Sequence, residues 1–540
     1  MSKSIFNLMG AAALAFSITA CSEDAPSTEQ VGSSETKTET AQAEPHINWF
    51  KGSVEEAFAH AEAENKPVLL YWGAVWCPPC NQLKATIFKR PDFVAKTEEF
   101  VAVYLDGDTD RAQKYGEEFG NAGYPTLIIL NGRDNEVTRI PGGMNLEAYV
   151  TVLDLALARV QPVAQLLAEI VEEGRAATTE ELTLLAHYSW GQDQGRALGE
   201  RDKAGVFNAL SAMTPVDMLE EKSRFEADYL DTLSRAEEPL EEEVRLDAIT
   251  RAHAFLSNPK AHRADPFFAT TSAKRFVEKV ASEDEAAKAA LIADFEGALA
   301  GMAGDDSYTP AIGLYYYIGL ARLEQLQAEE VSDALKTKVR DAVTATLAEA
   351  KTDYERSTVM NTSIGALLAT DQDSFATEIL KEEIKDGANA YYWMVDIASF
   401  LEDAGQNDEA AVWFKKAYDQ AEGLATRLQW GSYYVDGMTR LKADDPELIK
   451  QAALTLIGEM AAQEAPVHGR NKGAVKRVGR ALNKWAFDEE VIADLDEETK
   501  AVRAEVHGSV DQVFARLCDA QFTDEDELTV CKALFHPAEV

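Results

Sequence analysis

Two patterns of apolar and polar residues divide the chain near residue 162. Before that point, short apolar runs at 68–72, 100–106, 127–130 and 137–140 alternate with stretches of helical spacing. Apolar runs of this length predict buried strands, and apolar residues three and four positions apart predict helices. The order helix, strand, helix, strand, helix, hairpin, helix predicts an α/β sheet with helices on both faces.

Local signals mark where these elements begin and end. Ser53 and Glu56 form a capping box that predicts the first helix, and Pro67 stops that helix before the first strand. Asn131-Gly132 predicts a tight hairpin turn between the last two strands.

From residue 163 to residue 540 the apolar residues keep helical spacing, and no pair of strands is predicted. Turn signals such as Gly174, Gly405 and Pro446 divide the pattern into lengths that suit the paired helices of a solenoid. One stretch is similar to a tetratricopeptide repeat, and as a single copy it is equally compatible with an ordinary helical hairpin. Its residues are Trp393, Ile397, Ala398, Leu401, Gly405, Ala410, Phe414 and Ala417.

The N-terminus has the pattern of an export signal. Lys3 precedes an apolar stretch at 5–20 that is too short to span a bilayer as a mature helix. The stretch ends in the letters ITAC, with Cys21 last, and so resembles the bacterial lipoprotein cleavage box. The resemblance implies that Cys21 becomes the mature N-terminus and carries lipid, whose acyl chains anchor the protein stably. Ser22 in the next position implies the outer membrane, facing the periplasm; an ordinary cleaved signal with a chance cysteine is the alternative.

Residues 21–46 are predicted to be a lipidated cysteine followed by a flexible linker. The segment is rich in Ser, Thr, Glu, Gln and Ala and nearly lacks large apolar side chains. Such a segment cannot bury enough surface to offset the entropy of ordering it. The predicted domains are therefore a signal at 1–20, this linker, an α/β domain at 47–162 and a large all-α, solenoid-like domain at 163–540.

The charge of the chain restricts its partners. It has 52 Lys and Arg residues against 93 Asp and Glu residues, for a formal net charge of -41. Such an excess argues against nucleic acid or an anionic membrane surface as a partner, so membrane contact is expected through the lipid anchor only. A solvated acidic surface is the favoured interpretation, and selection for basic client proteins is the alternative.

Four of the five cysteines form two pairs that are close in sequence, Cys77 with Cys80 and Cys518 with Cys531. In an oxidising compartment, the even number left after lipidation of Cys21 favours disulfides. The second pair flanks a polar turn between helical segments, so we predict a structural disulfide across the last helical hairpin. A second redox pair or two free thiols are the alternatives. A zinc site is disfavoured because the spacing of this pair is not ligand spacing.

The first pair lies in Trp76-Cys77-Pro78-Pro79-Cys80, directly after the first predicted strand. Two cysteines separated by two residues can close a reducible disulfide. The attacking sulfur must be partly exposed and stabilised as a thiolate, which the N-terminus of a helix provides. Both prolines fit the first turn of a helix. The motif therefore predicts a redox centre.

Together with a second motif, this pentapeptide gives the domain a specific resemblance. Tyr124-Pro125-Thr126 places Pro125 45 residues after Cys80. The two motifs match the active-site motif and the cis-proline loop of the thioredoxin family, and the segments around residues 66–68 and 86–88 resemble its periplasmic branch. The resemblance covers about 115 residues of the chain.

The resemblance implies a role for each site residue. Cys77 is expected to be the nucleophile and Cys80 the resolving thiol. Pro125 is expected to be cis and to aim the backbone of Tyr124 at an extended client segment, with an ordinary trans turn as the alternative. Trp76 is expected to shield the disulfide and to contact partners. No cofactor and no metal are predicted, because the sequence has no nucleotide-binding loop, hydrolase motif or clustered histidines.

One position departs from the family. Thioredoxin has a buried aspartate six residues before its first active-site cysteine, and Tyr71 occupies that position here. Gly73 likewise replaces a bulky aromatic residue. The route of the proton from the resolving thiol must therefore differ, through water or through a Glu or Lys from elsewhere.

Two functions are compatible with these features. The favoured one is an enzyme, a membrane-anchored periplasmic thiol–disulfide oxidoreductase that acts on protein thiols or disulfides and uses its helical domain to bind clients or a partner. The alternative is a helical scaffold or assembly lipoprotein that uses a redox-inert thioredoxin fold as a docking module. Aromatic clusters at 315–317 and 391–393 are predicted to be core, with a binding groove as the alternative.

Overall fold

The computed structural model describes residues 46–536 except 142–145, 159–160, 306–307, 329 and 386–388. The predicted signal, Cys21 and nearly all of the linker lie outside the described residues.

A four-stranded sheet forms the centre of the first part, in the order β2-β1-β3-β4. The strands are β1 (Val68–Gly73), β2 (Val101–Asp106), β3 (Thr126–Leu130) and β4 (Glu136–Pro141). The helices are α1 (Val54–Glu64), α2 (Pro78–Thr86), α3 (Pro91–Thr97), α4 (Asp110–Glu118) and α5 (Leu146–Ala158). Strand β1 pairs in parallel with β2 and antiparallel with β3, and β3 pairs antiparallel with β4.

Alternate residues of the central strand enter two different cores. Leu69 and Tyr71 face a core that includes residues of α2, α3 and α5. Val68, Leu70 and Trp72 face a second core that includes residues of α1 and α4. Because successive side chains of a strand point to opposite faces, this one apolar run holds helices on both sides of the sheet. The predicted α/β layering is therefore confirmed.

Two local features of this part differ from the sequence predictions. The hairpin predicted between the last two strands is present, but its turn is longer than the tight turn predicted at Asn131-Gly132, since β3 ends at Leu130 and β4 begins at Glu136. The chain turns instead over residues 132–135, where the Asn135 N–H donates to the Gly132 carbonyl at 3.2 Å. The register of the pairing between β3 and β4 also shifts between Ile129 and Leu130, next to this turn. Helix α3, which begins at a proline, was not predicted.

After β4, the described residues form helices and no strand. The helices are α6 (Val163–Leu167), α7 (Thr179–Ala186), α8 (Lys203–Met213), α9 (Leu219–Ser234), α10 (Glu242–Leu256), α11 (Pro259–Ala264), α12 (Phe267–Thr271), α13 (Ala273–Ala281), α14 (Glu285–Met302), α15 (Pro310–Gln327), α16 (Asp333–Glu349), α17 (Asp353–Ala369), α18 (Asp373–Glu383), α19 (Tyr391–Asp403), α20 (Asn407–Gln420), α21 (Leu424–Leu441), α22 (Pro446–Ala461), α23 (Arg470–Phe487), α24 (Glu489–Ile492), α25 (Glu497–Gln521) and α26 (Glu525–Ala533). A π-helical turn, Ala168–Glu172, follows α6. The predicted large all-α region is therefore confirmed.

Helices α19 and α20 form a hairpin at the stretch that is similar to a tetratricopeptide repeat. Gly405 lies in the connection with a φ of +73°, a conformation that favours glycine. The apolar residues of the stretch, such as Ile397 and Phe414, are buried. Assignment of this hairpin to that repeat class stays a prediction.

No single helix among the described residues is both long and apolar enough to cross a membrane. One pair of helical segments, Ala148–Ala158 and Val163–Glu172, meets the length and composition criteria jointly but is bent by 82°.

A disulfide joins Cys518 of α25 to Cys531 of α26, with the two Cα atoms 5.9 Å apart. Both cysteines are buried among the residues of the C-terminal core. The bond is therefore placed as predicted, across the last helical hairpin.

Removing this bond is expected to destabilise the C-terminal helices. The bridge closes a loop with a sequence separation of 13, and a loop of this size contributes about 3 kcal/mol by restricting the unfolded chain. We expect the double variant Cys518→Ala/Cys531→Ala to lower the free energy of unfolding by about that amount, measured by urea titration of the helical circular dichroism signal. The matched control, Cys77→Ala/Cys80→Ala, should leave that transition in place. Equal transitions in wild type and in Cys518→Ala/Cys531→Ala would contradict the structural role.

Candidate active site

The Cys77–Cys80 pair lies where β1 gives way to α2. Cys77 is the N-cap of α2, and its Sγ accepts a hydrogen bond from the backbone N–H of Cys80 at 3.3 Å. Pro78 and Pro79 occupy the first turn, as predicted. The two cysteines are joined in a disulfide with their Cα atoms 5.3 Å apart. A sulfur that caps a helix in this way is stabilised as a thiolate once the disulfide is reduced.

The loop before β3 lies against this disulfide. The Tyr124–Pro125 peptide bond is cis, as predicted. The Tyr124 carbonyl oxygen lies 3.6 Å from the Cys77 Sγ. The carbonyl of Pro125 accepts a hydrogen bond from the Gln192 side chain at 3.2 Å, so the helical part of the chain also contacts this loop.

Tyr71 fills the space where thioredoxin has its buried aspartate. Its ring stacks on Tyr104 with the centroids 5.5 Å apart, and its buried hydroxyl has no hydrogen-bond partner among the described residues. A Cβ at Gly73 would collide with this hydroxyl, which explains the glycine there. Burial raises the pKa of Tyr71 far above its ordinary value, so this side chain does not replace the missing acid.

Two ionisable side chains lie at the same end of the sheet. Asp106 is the register partner of Gly73, and burial raises the pKa of its carboxyl. Lys84 lies one helical turn after Cys80 on α2, and burial lowers the pKa of its ammonium group. The sequence interpretation expected water, or a Glu or Lys from elsewhere in the chain, to carry the proton from the resolving thiol. The structure places a lysine, Lys84, and an aspartate, Asp106, at this end of the sheet.

Cys77 is less accessible than expected. The sequence interpretation required a partly exposed sulfur, whereas Cys77 is 3% exposed and Cys80 is fully buried. The expectation is wrong because helices of the C-terminal part cover this face of the first part. Helix α2 packs against α17, and the Asn389 side chain donates to the Val75 carbonyl at 3.4 Å.

Trp76 is held by residues of the helical part. Its ring stacks on Tyr392 and lies against Trp430, in both cases with centroids 6.0 Å apart. The Arg470 guanidinium lies over the same ring at 4.8 Å and over the Tyr124 ring at 5.4 Å. Trp76 therefore packs against the core of the C-terminal helices, so in this structure its neighbours belong to its own chain.

The structure places Trp76, Cys77, Cys80, Tyr124 and Pro125 together, as the sequence interpretation required. Cys518 and Cys531 lie apart from them, in the last hairpin. Sequence reasoning missed the covering residues Tyr392, Trp430 and Arg470. Tyr392 belongs to the aromatic cluster at 391–393 that was predicted to be core. The sequence pattern identified this cluster, but it did not show that the cluster contacts the active site. Within the described ranges, no group of three or more His, Cys, Asp or Glu side chains is arranged to hold a metal ion.

Comparison with known proteins agrees with this geometry. Residues 54–157 match the family model of a thioredoxin-like domain, so the first part of the chain is a thioredoxin-like domain. The chain is 27% identical over 118 residues to the thiol:disulfide interchange protein DsbD of Shigella boydii. It is 26% identical over 118 residues to the protein of the same name from Escherichia coli strain K12. Each match covers 21% of this chain and 21% of the relative, so the similarity spans about a fifth of either protein.

The contact between the two parts of the chain includes one strongly perturbed carboxylate, Glu117 of α4. It accepts hydrogen bonds from His468 Nδ1 at 3.0 Å and from the Gly469 N–H at 3.2 Å, and it pairs with Lys472. Burial opposes its ionisation, but the hydrogen bonds from His468 and Lys472 prevail and lower its pKa to about 2.

We expect this carboxylate to make stability depend on pH. Because the folded state lowers the pKa of Glu117 from 4.5 to about 2, its stabilising contribution is complete above the higher value and is lost as pH falls through the lower one. In Glu117→Gln, the urea midpoint should fall less steeply than in wild type between pH about 5 and about 2. The exposed Glu62→Gln should behave like wild type. Parallel curves for wild type and Glu117→Gln would contradict the assignment.

Proposed function

We propose that the protein is an exported, lipid-anchored thiol–disulfide oxidoreductase whose redox centre is Cys77–Cys80. The observation that carries the proposal is the position of Cys77 in a thioredoxin-like domain. Its sulfur caps α2, lies within disulfide distance of Cys80 and lies beside the Tyr124 carbonyl. The relatives named thiol:disulfide interchange proteins support the same chemistry.

The exchange proceeds in two steps that the geometry supports. In the reducing direction, the Cys77 thiolate attacks one sulfur of a client disulfide, forming a mixed disulfide, and the other client sulfur leaves as a thiolate that takes up a proton. The Cys80 thiol then gives up its proton and attacks the Cys77 sulfur, which releases the second client thiolate and closes the Cys77–Cys80 disulfide. Two electrons pass from the protein to the client. The reverse sequence oxidises a client dithiol.

Clients are expected to be proteins with cysteines. When a client is bound, Trp76 and the backbone of Tyr124 contact it, and Pro125 holds the Tyr124 backbone in place. The ITAC sequence at Cys21 and the even number of cysteines that is left after lipidation of Cys21 support an oxidising, exported location. The lipid anchor at Cys21 and the outer-membrane location facing the periplasm rest on the sequence resemblance.

An exchange assay tests the proposal. The chain from Ser22 onward, which keeps every described residue, should catalyse dithiol exchange with a peptide that carries one disulfide, using dithiothreitol as the electron source. The variant Cys518→Ser/Cys531→Ser should retain the activity, because its redox centre is intact. Absence of catalysis in both proteins, with the fold intact by circular dichroism, would refute the proposal.

A second candidate function is favoured by one observation, the nearly complete burial of Cys77 and Cys80 under the helical part. In that case the protein is a scaffold or assembly lipoprotein whose thioredoxin-like domain docks its helices, and the disulfide stays closed. The redox equilibrium of the pair separates the two functions.

A further inference from the structure

One face of α4 carries three polar side chains that all contact the helical part. Asp110, Gln113 and Glu117 are spaced three and four residues apart, so they lie on the same side of the helix. This spacing alone is typical of a solvated helix face. In the structure, each of the three side chains accepts hydrogen bonds from backbone groups between residues 464 and 470.

These contacts occupy backbone donors at and just before the start of α23. The Asp110 carboxylate accepts the N–H groups of Glu464 at 3.0 Å and Ala465 at 3.2 Å. The Gln113 side-chain oxygen accepts the N–H of Arg470, the first residue of α23, at 2.8 Å. The first N–H groups of a helix have no partner inside it and attract anionic and polar oxygens. Helix α23 has no side-chain cap of its own at Gly469, and Glu117 accepts that residue's N–H.

Asp108 links the start of a second helix, α21, to the active site through hydrogen bonds that its carboxylate accepts. One oxygen of its carboxylate accepts the N–H of Thr426 at 3.1 Å and the Thr426 hydroxyl at 2.5 Å, near the start of α21. The other oxygen accepts the Trp76 ring N–H at 2.8 Å. The residue that fixes Trp76 beside the disulfide is therefore also the residue that holds α21.

We call Asp108, Asp110, Gln113 and Glu117 the clamp. They bind the starts of α21 and α23, and those helices carry Trp430 and Arg470 over Trp76. The covered face contains the Tyr124 backbone and Cys77, the groups that a client must reach. A client strand and the helical part thus compete for one surface.

We propose that the C-terminal helices that carry Trp430 and Arg470 are a lid on the redox centre, held shut by the clamp, and that protein clients reach Cys77 only after this lid opens. This inference rests on the proposed function. Polar contacts between domains of one chain permit relative motion more readily than a large apolar interface does. Here the α4 contacts are hydrogen bonds and ion pairs. The apolar contribution at the site comes from the aromatic rings around Trp76.

A lid makes a size-dependent prediction. A small dithiol needs only a brief local opening, whereas a folded protein reductant must displace the helices above Trp76. Weakening the clamp at residues that do not contact the sulfurs should therefore increase the rate of disulfide reduction by the protein reductant much more than the rate of reduction by the small dithiol. Variants of Asp110 and Glu117 suit this purpose, because neither side chain contacts the cysteines in any described hydrogen bond.

The experiment uses the full chain from Ser22 and compares wild type, the clamp variant Asp110→Ala/Glu117→Ala and the control Glu62→Ala/Glu98→Ala. The control removes two exposed acids from α1 and from the end of α3, so the charge change is matched. Alkylation and mass spectrometry of the peptide that contains Cys77 and Cys80 give the rate of reduction, first with dithiothreitol and then with reduced thioredoxin. Hydrogen exchange at residues 464–470 reports whether the lid has loosened.

We expect reduction by thioredoxin to rise about tenfold or more in the clamp variant, with a smaller change for dithiothreitol and none in the control. The milder single variant Asp110→Ala, compared with Glu62→Ala, should accelerate reduction by thioredoxin in the same direction, which tests the lid even if the double clamp variant misfolds. Faster hydrogen exchange without faster reduction by thioredoxin would overturn the lid, as would unchanged hydrogen exchange in a folded clamp variant. A pair that neither reductant opens in any variant would instead refute the proposed function.

Discussion

Replacing Cys80 by serine is expected to leave the protein covalently attached to its clients, whereas replacing Cys77 by serine should prevent attachment altogether. Cys77 caps α2 and lies beside the Tyr124 carbonyl, so it is the sulfur placed to attack. Cys80 lies one turn inside the helix, within disulfide distance of Cys77, so it is the sulfur placed to resolve a mixed disulfide at Cys77. Without Cys80, the mixed disulfide at Cys77 has no internal thiol to resolve it.

The size of the effect should be large. Catalytic exchange should fall by about a thousandfold or more in Cys77→Ser, because the nucleophile itself is removed. Non-reducing electrophoresis and intact mass of purified Cys80→Ser, mixed with a disulfide-containing protein, should show the adduct. Cys518→Ser/Cys531→Ser serves as the control and should form no lasting adduct. Equal trapping by Cys77→Ser and Cys80→Ser would contradict the assigned roles.

Arg139→Ala is expected to have the largest effect on stability. Arg139 is fully buried on β4 and donates to the carbonyls of Phe119 at 2.7 Å and Gly120 at 2.8 Å. It also donates to the Gln192 carbonyl at 3.2 Å and pairs with Glu136 at 2.9 Å, so it ties the sheet to the helical part. Its removal leaves the three carbonyls without this donor and the Glu136 carboxylate without its cation, a loss of about 3–5 kcal/mol.

The matched control is Arg133→Ala. Arg133 pairs with Glu118 on the surface, with its side chain 38% exposed, and such pairs contribute about 0–1 kcal/mol. Urea unfolding followed by circular dichroism should show a large shift for Arg139→Ala and a small one for Arg133→Ala. Similar midpoints for the two variants would show that the buried network does not hold the two parts together.

Features that depend on neighbouring residues or on a specific motif were predictable from sequence. The capping box at Ser53 and Glu56, the prolines at the start of α2, the cis bond at Pro125 and the Cys518–Cys531 bridge each depend on neighbours along the chain or on a specific motif. The length of the turn after β3 was not predicted, because Asn131-Gly132 is typical of a tight turn but also fits the longer connection between Leu130 and Glu136.

The cover over the active site could not be predicted. Asp110, Gln113 and Glu117 have the spacing of an ordinary solvated helix face, and their partners lie more than three hundred residues further along the chain. Periodicity reports which face of a helix is apolar, but it does not report which distant backbone N–H groups need an acceptor. The same limit applies to Trp76, whose neighbours Tyr392 and Trp430 come from two separate helices.

A redox titration of the chain from Ser22 shows whether Cys77–Cys80 exchanges electrons reversibly. The pair is equilibrated with dithiothreitol and glutathione buffers, and its thiols are counted by alkylation and mass spectrometry of the Cys77–Cys80 peptide. We predict a reversible two-electron transition in the range of known oxidoreductases, between about -270 and about -120 mV, that is absent from Cys77→Ala and Cys80→Ala. A pair that stays oxidised below about -300 mV, as structural disulfides do, would refute the oxidoreductase function and support the scaffold function.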